Sequence, residues 1–224
     1  MITPLSEASF TAAALGLAAR DSHLRAIIDS HDLPEFWHRP PTVATLALFI
    51  VEQQVSLASA RAVFERMVSA LGEVTAETLA NSPDETLREV GLTRQKLRYL
   101  RGLGESVISG AFDLAGLADR PDPEARSRLL ELTGIGPWTA DVYLLAALRR
   151  PDVWPVGDRA LQVGVGDCLG LESPPSPQHL EDLGERWRPY RSVTARLVWH
   201  DYLQRRGRSE PRVRGLVTGS LDDS

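Results

Sequence analysis

Residues 132–141 read LTGIGPWTAD, a Gly-x-Gly turn with helical periodicity on both sides. Leu129, Leu130 and Leu132 precede it; Val142, Leu144, Leu145 and Leu148 follow. Such a turn predicts two consecutive helices whose junction can present bare backbone N–H groups to a phosphate. A Gly-x-Gly at a helix junction is also an ordinary turn, because glycine tolerates positive φ. The same periodicity recurs elsewhere. Val43, Leu46, Ala47 and Ile50 follow i, i+3, i+4, i+7, and Leu97, Leu100, Val107 and Ile108 stripe a segment beginning near Thr93. Ser82-Pro83 before Asp84-Glu85 reads as an N-cap, a first-turn proline and an acidic first turn. A last helix is expected over about residues 191–205, and no run alternates as a half-buried strand does. The predicted fold class is all-α.

A chain of 224 residues can hold one large domain or two small lobes with a substantial core. Hydrophobic content of 43% and charged content of 25% are those of an ordinary globular protein. No apolar run approaches the ~20 residues of a membrane span, and the first residues lack the pattern of a signal peptide. The single cysteine, Cys168, excludes an intrachain disulfide and a four-thiolate iron–sulfur cluster, and it fits a reducing, cytoplasmic setting. Of 25 basic residues, Lys96 is the only lysine. The net charge of −5 weighs against nucleic-acid binding on average, yet phosphate contacts need only a local basic face and N–H groups. Residues 172–177 (ESPPSP) and 119–123 (DRPDP) break the helical pattern, and residues 219–224 are small and acidic.

Twenty residues after Trp138 (158 − 138) stands Asp158, in Trp154-Pro155-Val156-Gly157-Asp158-Arg159. It directly precedes the apolar Ala160-Leu161-x-Val163, so it reads as a helix N-cap. Together the hairpin and this aspartate resemble the helix-hairpin-helix (HhH-GPD) DNA glycosylases, and within them the alkylbase branch of 3-methyladenine DNA glycosylase II (AlkA-like) proteins. The resemblance runs from about residue 43 to 203. It implies two helical lobes with the active cleft between them. Residues 43–157 would form a six-helix lobe carrying the hairpin, and residues 1–42 plus 158–215 a discontinuous second lobe, with 216–224 a flexible tail.

Cleavage of an N-glycosidic bond passes through an oxocarbenium-like sugar, which a fixed carboxylate stabilises while orienting the attacking water. An N-alkylated purine already carries positive charge and leaves with little protonation, so one carboxylate suffices. Asp158 is the candidate, with Asp141 and Asp152 as nearby alternatives. In the bifunctional branch of the family a lysine occupies the place of Trp138. An indole forms no Schiff base, and Lys96 reads as a solvated helix start. Release of the base without strand cleavage is therefore expected. Trp138 is a wall of the base pocket by resemblance and a core aromatic by local reading.

Arg186-Trp187-Arg188-Pro189-Tyr190 resembles the segment that supplies the pocket's second aromatic, with Tyr190 at the matching place; locally Tyr190 reads as a loop anchor. Both rings would attract a cationic base. Some relatives carry a tyrosine where Val142 stands, so the pocket is expected to be shallower here. Gln54 falls where relatives place the side chain that fills the hole left by a flipped base; locally it ends one helix before Ser56 caps the next. Trp37 reads as a core aromatic or a cleft residue.

Thr133, Gly134, Ile135 and Gly136 are expected to bind a DNA phosphate. The family implies a Na⁺ or K⁺ on hairpin carbonyls near Leu132 and Gly134, and no other cofactor. His23, His31 and His38 lack metal-ligand spacing.

The resulting expectation is a monomeric, cytoplasmic, nucleoid-associated enzyme that flips and hydrolyses alkylated purines such as 3-methyladenine from double-stranded DNA in base excision repair. It would require no cofactor and make no membrane contact. The alternatives are a glycosylase for uracil or oxidised bases, or a non-catalytic helix-hairpin-helix DNA-binding module.

Overall fold

The computed structural model describes residues 3–37 and 39–208. Among them the fold is all helical, without a strand. In chain order the α-helices are α1 Glu7–Arg20, α2 Ser22–His31, α3 Val43–Glu52, α4 Leu57–Leu71, α5 Ala76–Asn81, α6 Asp84–Glu89, α7 Arg94–Ile108, α8 Asp122–Leu130, α9 Pro137–Ala146, α10 Arg159–Leu169, α11 Pro177–Gly184 and α12 Arg191–Gln204.

Local chemistry explains most helix starts. Ser6, Asp21, Thr42, Ser56, Thr75, Thr93, Asp158 and Ser176 each accept a backbone N–H of the first turn through their side chains, satisfying a donor that a helix start leaves orphaned. One start differs from the sequence expectation. Ser82 does not cap α6; its N–H closes α5 on the Thr78 carbonyl, 3.1 Å, and Pro83 takes the N-cap place without a side-chain bond. The acidic first turn, Asp84 and Glu85, is as read.

The chain divides into two compact units. One is Arg39–Tyr143; among the described residues the other comprises 3–37 and 144–208. The division falls inside α9, whereas the sequence places it at Gly157. Residues 144–157 bond to the second unit's own elements: the Val153 N–H donates to Ser192 Oγ at 2.8 Å, and the Trp154 indole donates to the Leu180 carbonyl at 2.8 Å. The expected tail at 216–224 lies outside the described residues.

In the first unit α3 is central, with Thr45 through Val51 all buried, and α4 and α7 pack on it while α5 lies along α7. A helix apolar on every side belongs inside. In the second unit α12 takes that place, packed by α1, α2 and α10. Most of the polar residues it buries have partners, Ser192 on Val153, Arg196 on the Glu35 carbonyl, Asp201 on His31 and Arg205, while the buried Thr194 Oγ1 has none among the described residues. Buried polar groups are tolerated on such terms.

Candidate active-site residues and the helix hairpin

Helix α8, the turn at residues 131–136 and α9 form the expected helix-hairpin-helix. Its two glycines are there for different reasons. Gly134 has φ +95°, and a Cβ on it would stand 2.3 Å from the Tyr99 ring; internal packing and backbone conformation both require glycine. Gly136 has neither constraint, since nothing lies within 4 Å of where its Cβ would point. The Ile135 N–H is committed within the turn, to the Leu132 carbonyl at 3.0 Å, and its side chain is buried. That amide is therefore withdrawn from the expected phosphate-binding set. Thr133 is exposed and Gly136 partly so.

Trp138 stands half-buried on the first turn of α9, with Val142 one turn further on the same side and buried. Asp141 is a structural ion pair, its carboxylate 2.6 Å from Arg126 Nε. Between them Thr139 is buried, and its Oγ1 accepts from Gln53 Nε2 at 2.9 Å; the same amide nitrogen donates to the Gly134 carbonyl at 2.8 Å.

Gln53 ends α3, and the next residue, Gln54, is exposed with φ +58°. Lys96 is not the solvated residue its sequence suggests. From the first turn of α7 its Nζ donates to the Val51 and Gln53 carbonyls, at 2.7 and 2.9 Å, and burial lowers its pKa. Beside this turn burial raises the pKa of Glu52, against the pull of Arg39 at 3.5 Å.

In the second unit Asp158 caps α10: its Oδ1 accepts the Leu161 N–H at 2.7 Å. The same oxygen accepts the Trp199 indole N–H at 3.0 Å. Trp199, on α12, is buried, and Trp37 stacks on it at 5.2 Å between ring centres, 24° from parallel. The Arg196 guanidinium lies 4.5 Å from the Trp37 ring, within cation–π range. The structure thus brings Trp37 to Asp158 through Trp199, a residue the sequence did not single out.

Tyr190 lies at the head of α12, nine residues before Trp199 (199 − 190), about 14 Å along the axis, and the residue is 37% exposed. Its segment is clamped from both sides. Arg188 and Arg191 both pair with Asp152, which makes Asp152 structural. The Trp187 indole donates to the buried Asp21 at 2.9 Å. Burial works against the Asp21 carboxylate, but Trp187, the α2 amides and Arg186 hold its pKa below the usual value.

The two carbonyls named for a monovalent cation each accept one hydrogen bond, Leu132's from the Ile135 N–H and Gly134's from the Gln53 amide, and a carbonyl oxygen keeps a second lone pair. Among the described residues no group of three or more His, Cys, Asp or Glu could hold a metal, and His38 lies outside them.

Schizosaccharomyces pombe DNA-3-methyladenine glycosylase 1 is 29% identical over 154 residues, covering 67% of this chain and 68% of its own. The chain spans between 55% and 68% of the length of such curated relatives. A crystal structure of a DNA-3-methyladenine glycosidase from Bacillus halodurans superposes with a TM-score of 0.72 at 31% identity, over 83% of this chain and 87% of that one. The S. pombe 3-methyladenine DNA glycosylase Mag1, solved with abasic DNA, shares the fold with a TM-score of 0.77 at 23% identity, over 84% of this chain and 94% of that one. A family model described as HhH-GPD superfamily base excision DNA repair protein matches residues 47–189, a span that takes in the hairpin, Trp138 and Asp158. The chain belongs to the HhH-GPD superfamily of base excision DNA repair proteins.

Proposed function

We propose that this protein is a monofunctional DNA glycosylase that flips alkylated, cationic purines such as 3-methyladenine out of double-stranded DNA and releases them by hydrolysis. The observation that carries the reading is Asp158, a carboxylate fixed in orientation by two donors on one oxygen, the Leu161 amide and the Trp199 indole. The names of the relatives supply the substrate class.

In this reading the C1′–N bond breaks with its electron pair leaving on the base, which departs neutral because the alkylated base was a cation. The positive charge passes to the sugar as an oxocarbenium ion, which the Asp158 carboxylate stabilises. Water adds at C1′ and loses a proton, with Asp158 orienting it. Trp138 and Tyr190 offer aromatic faces to the cationic base. The amides around Gly136 take a phosphate, and Gln54 fills the vacated place in the stack.

Absence of strand cleavage follows from Trp138 in the family's lysine position. It is supported by Lys96, the only lysine, whose Nζ is occupied by two carbonyls. The protein is proposed to act as a monomer in the cytoplasm with no required cofactor, a Na⁺ or K⁺ on hairpin carbonyls near Leu132 and Gly134 being structural. No helix among the described residues is long and apolar enough to cross a membrane.

The deciding experiment measures base release from methylated and from uracil-containing duplexes. Release of 3-methyladenine and 7-methylguanine with uracil retained is the expected result; uracil release alone would replace the reading. Treatment with borohydride should trap no covalent adduct.

A further inference from the structure

Gln53 has φ −59° and ψ 127°, the dihedrals of the first central residue of a type II turn, and Gln54 follows at φ +58°. That second place normally belongs to glycine. A glutamine there is held in a conformation L-residues avoid, and its side chain is exposed beside Val55 and Leu57, themselves 46% and 42% exposed. A turn needing only to reverse the chain would be built more cheaply from glycine.

Two straps hold this tip. Lys96 Nζ binds the Val51 and Gln53 carbonyls, which a helix end leaves without partners, and brings positive charge to the negative end of α3. The Gln53 side chain ties the same residue to the hairpin at Gly134 and Thr139. All these groups lie within the first unit.

We infer that Lys96 and Gln53 are positioning residues that lock the Gln54 tip into one rigid frame with the phosphate-binding hairpin, so that a hairpin seated on the backbone aims Gln54 into the base stack. This inference rests on the proposed glycosylase reading and adds to it the parts that set the wedge. Neither residue touches the base. Their loss acts on the flipping step, because the hairpin amides still grip phosphate while the tip wanders.

The test uses the full chain and a methylated duplex carrying 2-aminopurine beside the lesion, whose fluorescence rises on unstacking. Lys96→Met should bind undamaged duplex within about twofold of wild type. Its fluorescence rise and single-turnover base release should each fall about tenfold, the scale of one charge-assisted hydrogen bond. Gln54→Gly, which relieves the backbone but removes the side chain, should show the same loss. The double variant Lys96→Met, Gln54→Gly should be no worse than the weaker single variant, since both act through one side chain. Gln53→Leu cuts only the hairpin strap; it should give the same signature, and it carries the test if Lys96→Met fails to fold. Strap variants with wild-type fluorescence and release, or losses that multiply in the double variant, would overturn the inference. A wild-type protein that neither unstacks nor releases methylated bases would instead overturn the glycosylase reading, so the two failures are distinguishable.

Discussion

The hairpin and the head of α10 each present a helix N-terminus, and the proposed function gives them opposite tasks. In the proposed reading the hairpin works through its backbone: nothing lies within 4 Å of where a Gly136 Cβ would point, and the Tyr99 ring packs against Gly134. The head of α10 offers one side chain, Asp158, which the Trp199 indole bonds while Trp37 stacks on Trp199. A site that grips a uniform phosphate backbone can be made of amides. A site that stabilises charge at one atom needs a carboxylate whose direction is set. Mutations should therefore separate the two cleanly, the first losing binding and the second losing turnover.

The largest effect is expected at Asp158. Asp158→Asn keeps an oxygen that can accept from both Leu161 and Trp199, so the cap survives. Removing the charge should still lower single-turnover base release by about 10²–10³-fold or more, with damaged-DNA binding within a few-fold. Substantial turnover by the folded variant would end the assignment. Next comes Trp199→Phe, which leaves a ring for Trp37 to stack on but deletes the N–H that orients Asp158. Release should slow about tenfold, in keeping with the loss of one hydrogen bond to a carboxylate, and DNA binding should not change. A variant with unaltered kcat would reduce Trp199 to packing.

The difference between the regions also explains what the sequence disclosed. The hairpin is legible because its signal is local: the glycines and Trp138 fall within residues 132–141, and the flanking periodicity lies within 129–148. Asp158 was legible as a cap from the apolar residues that follow it. Its supports were not, because Trp199 lies 41 residues downstream (199 − 158) and Trp37 lies 121 upstream (158 − 37). Lys96 misled for the same reason. A lysine on a first helical turn is ordinarily solvated, and only the fold brings it to carbonyls 43 and 45 residues away. Helices α1 and α2 also escaped notice. The first is so rich in alanine that no stripe stands out, although Ser6 and Asp21 cap them as well as any other pair.

The hairpin's two glycines give the next contrast. Gly134→Ala forces a Cβ into the Tyr99 ring at a left-handed φ, so about 2–4 kcal/mol of stability should be lost, seen as a lower Tm. Gly136→Ala adds a methyl group to open space and should leave Tm unchanged while weakening binding to damaged and undamaged DNA by the same few-fold factor. A loss confined to damaged DNA would move Gly136 from phosphate anchoring to base recognition. A lowered Tm would show that a neighbour fills the space beside Gly136.

The smallest expected effect is also the one that tests selectivity. Tyr190 stands two and a half turns of α12 from Trp199, exposed and with its segment clamped through Asp21 and Asp152. A clamped aromatic face suits attraction of a cationic base, worth ~0.5–2 kcal/mol per ring, or roughly 2- to 30-fold in rate. Charged lesions such as 3-methyladenine and 7-methylguanine should therefore be released faster than neutral hypoxanthine. Tyr190→Leu should slow the charged lesions by that factor and any neutral substrate by less. Leucine keeps the bulk but lacks the ring's negative face, so it separates shape from electrostatics. Equal losses for charged and neutral bases would assign Tyr190 to shape alone. In the proposed reading, selection among lesions would then rest on Trp138.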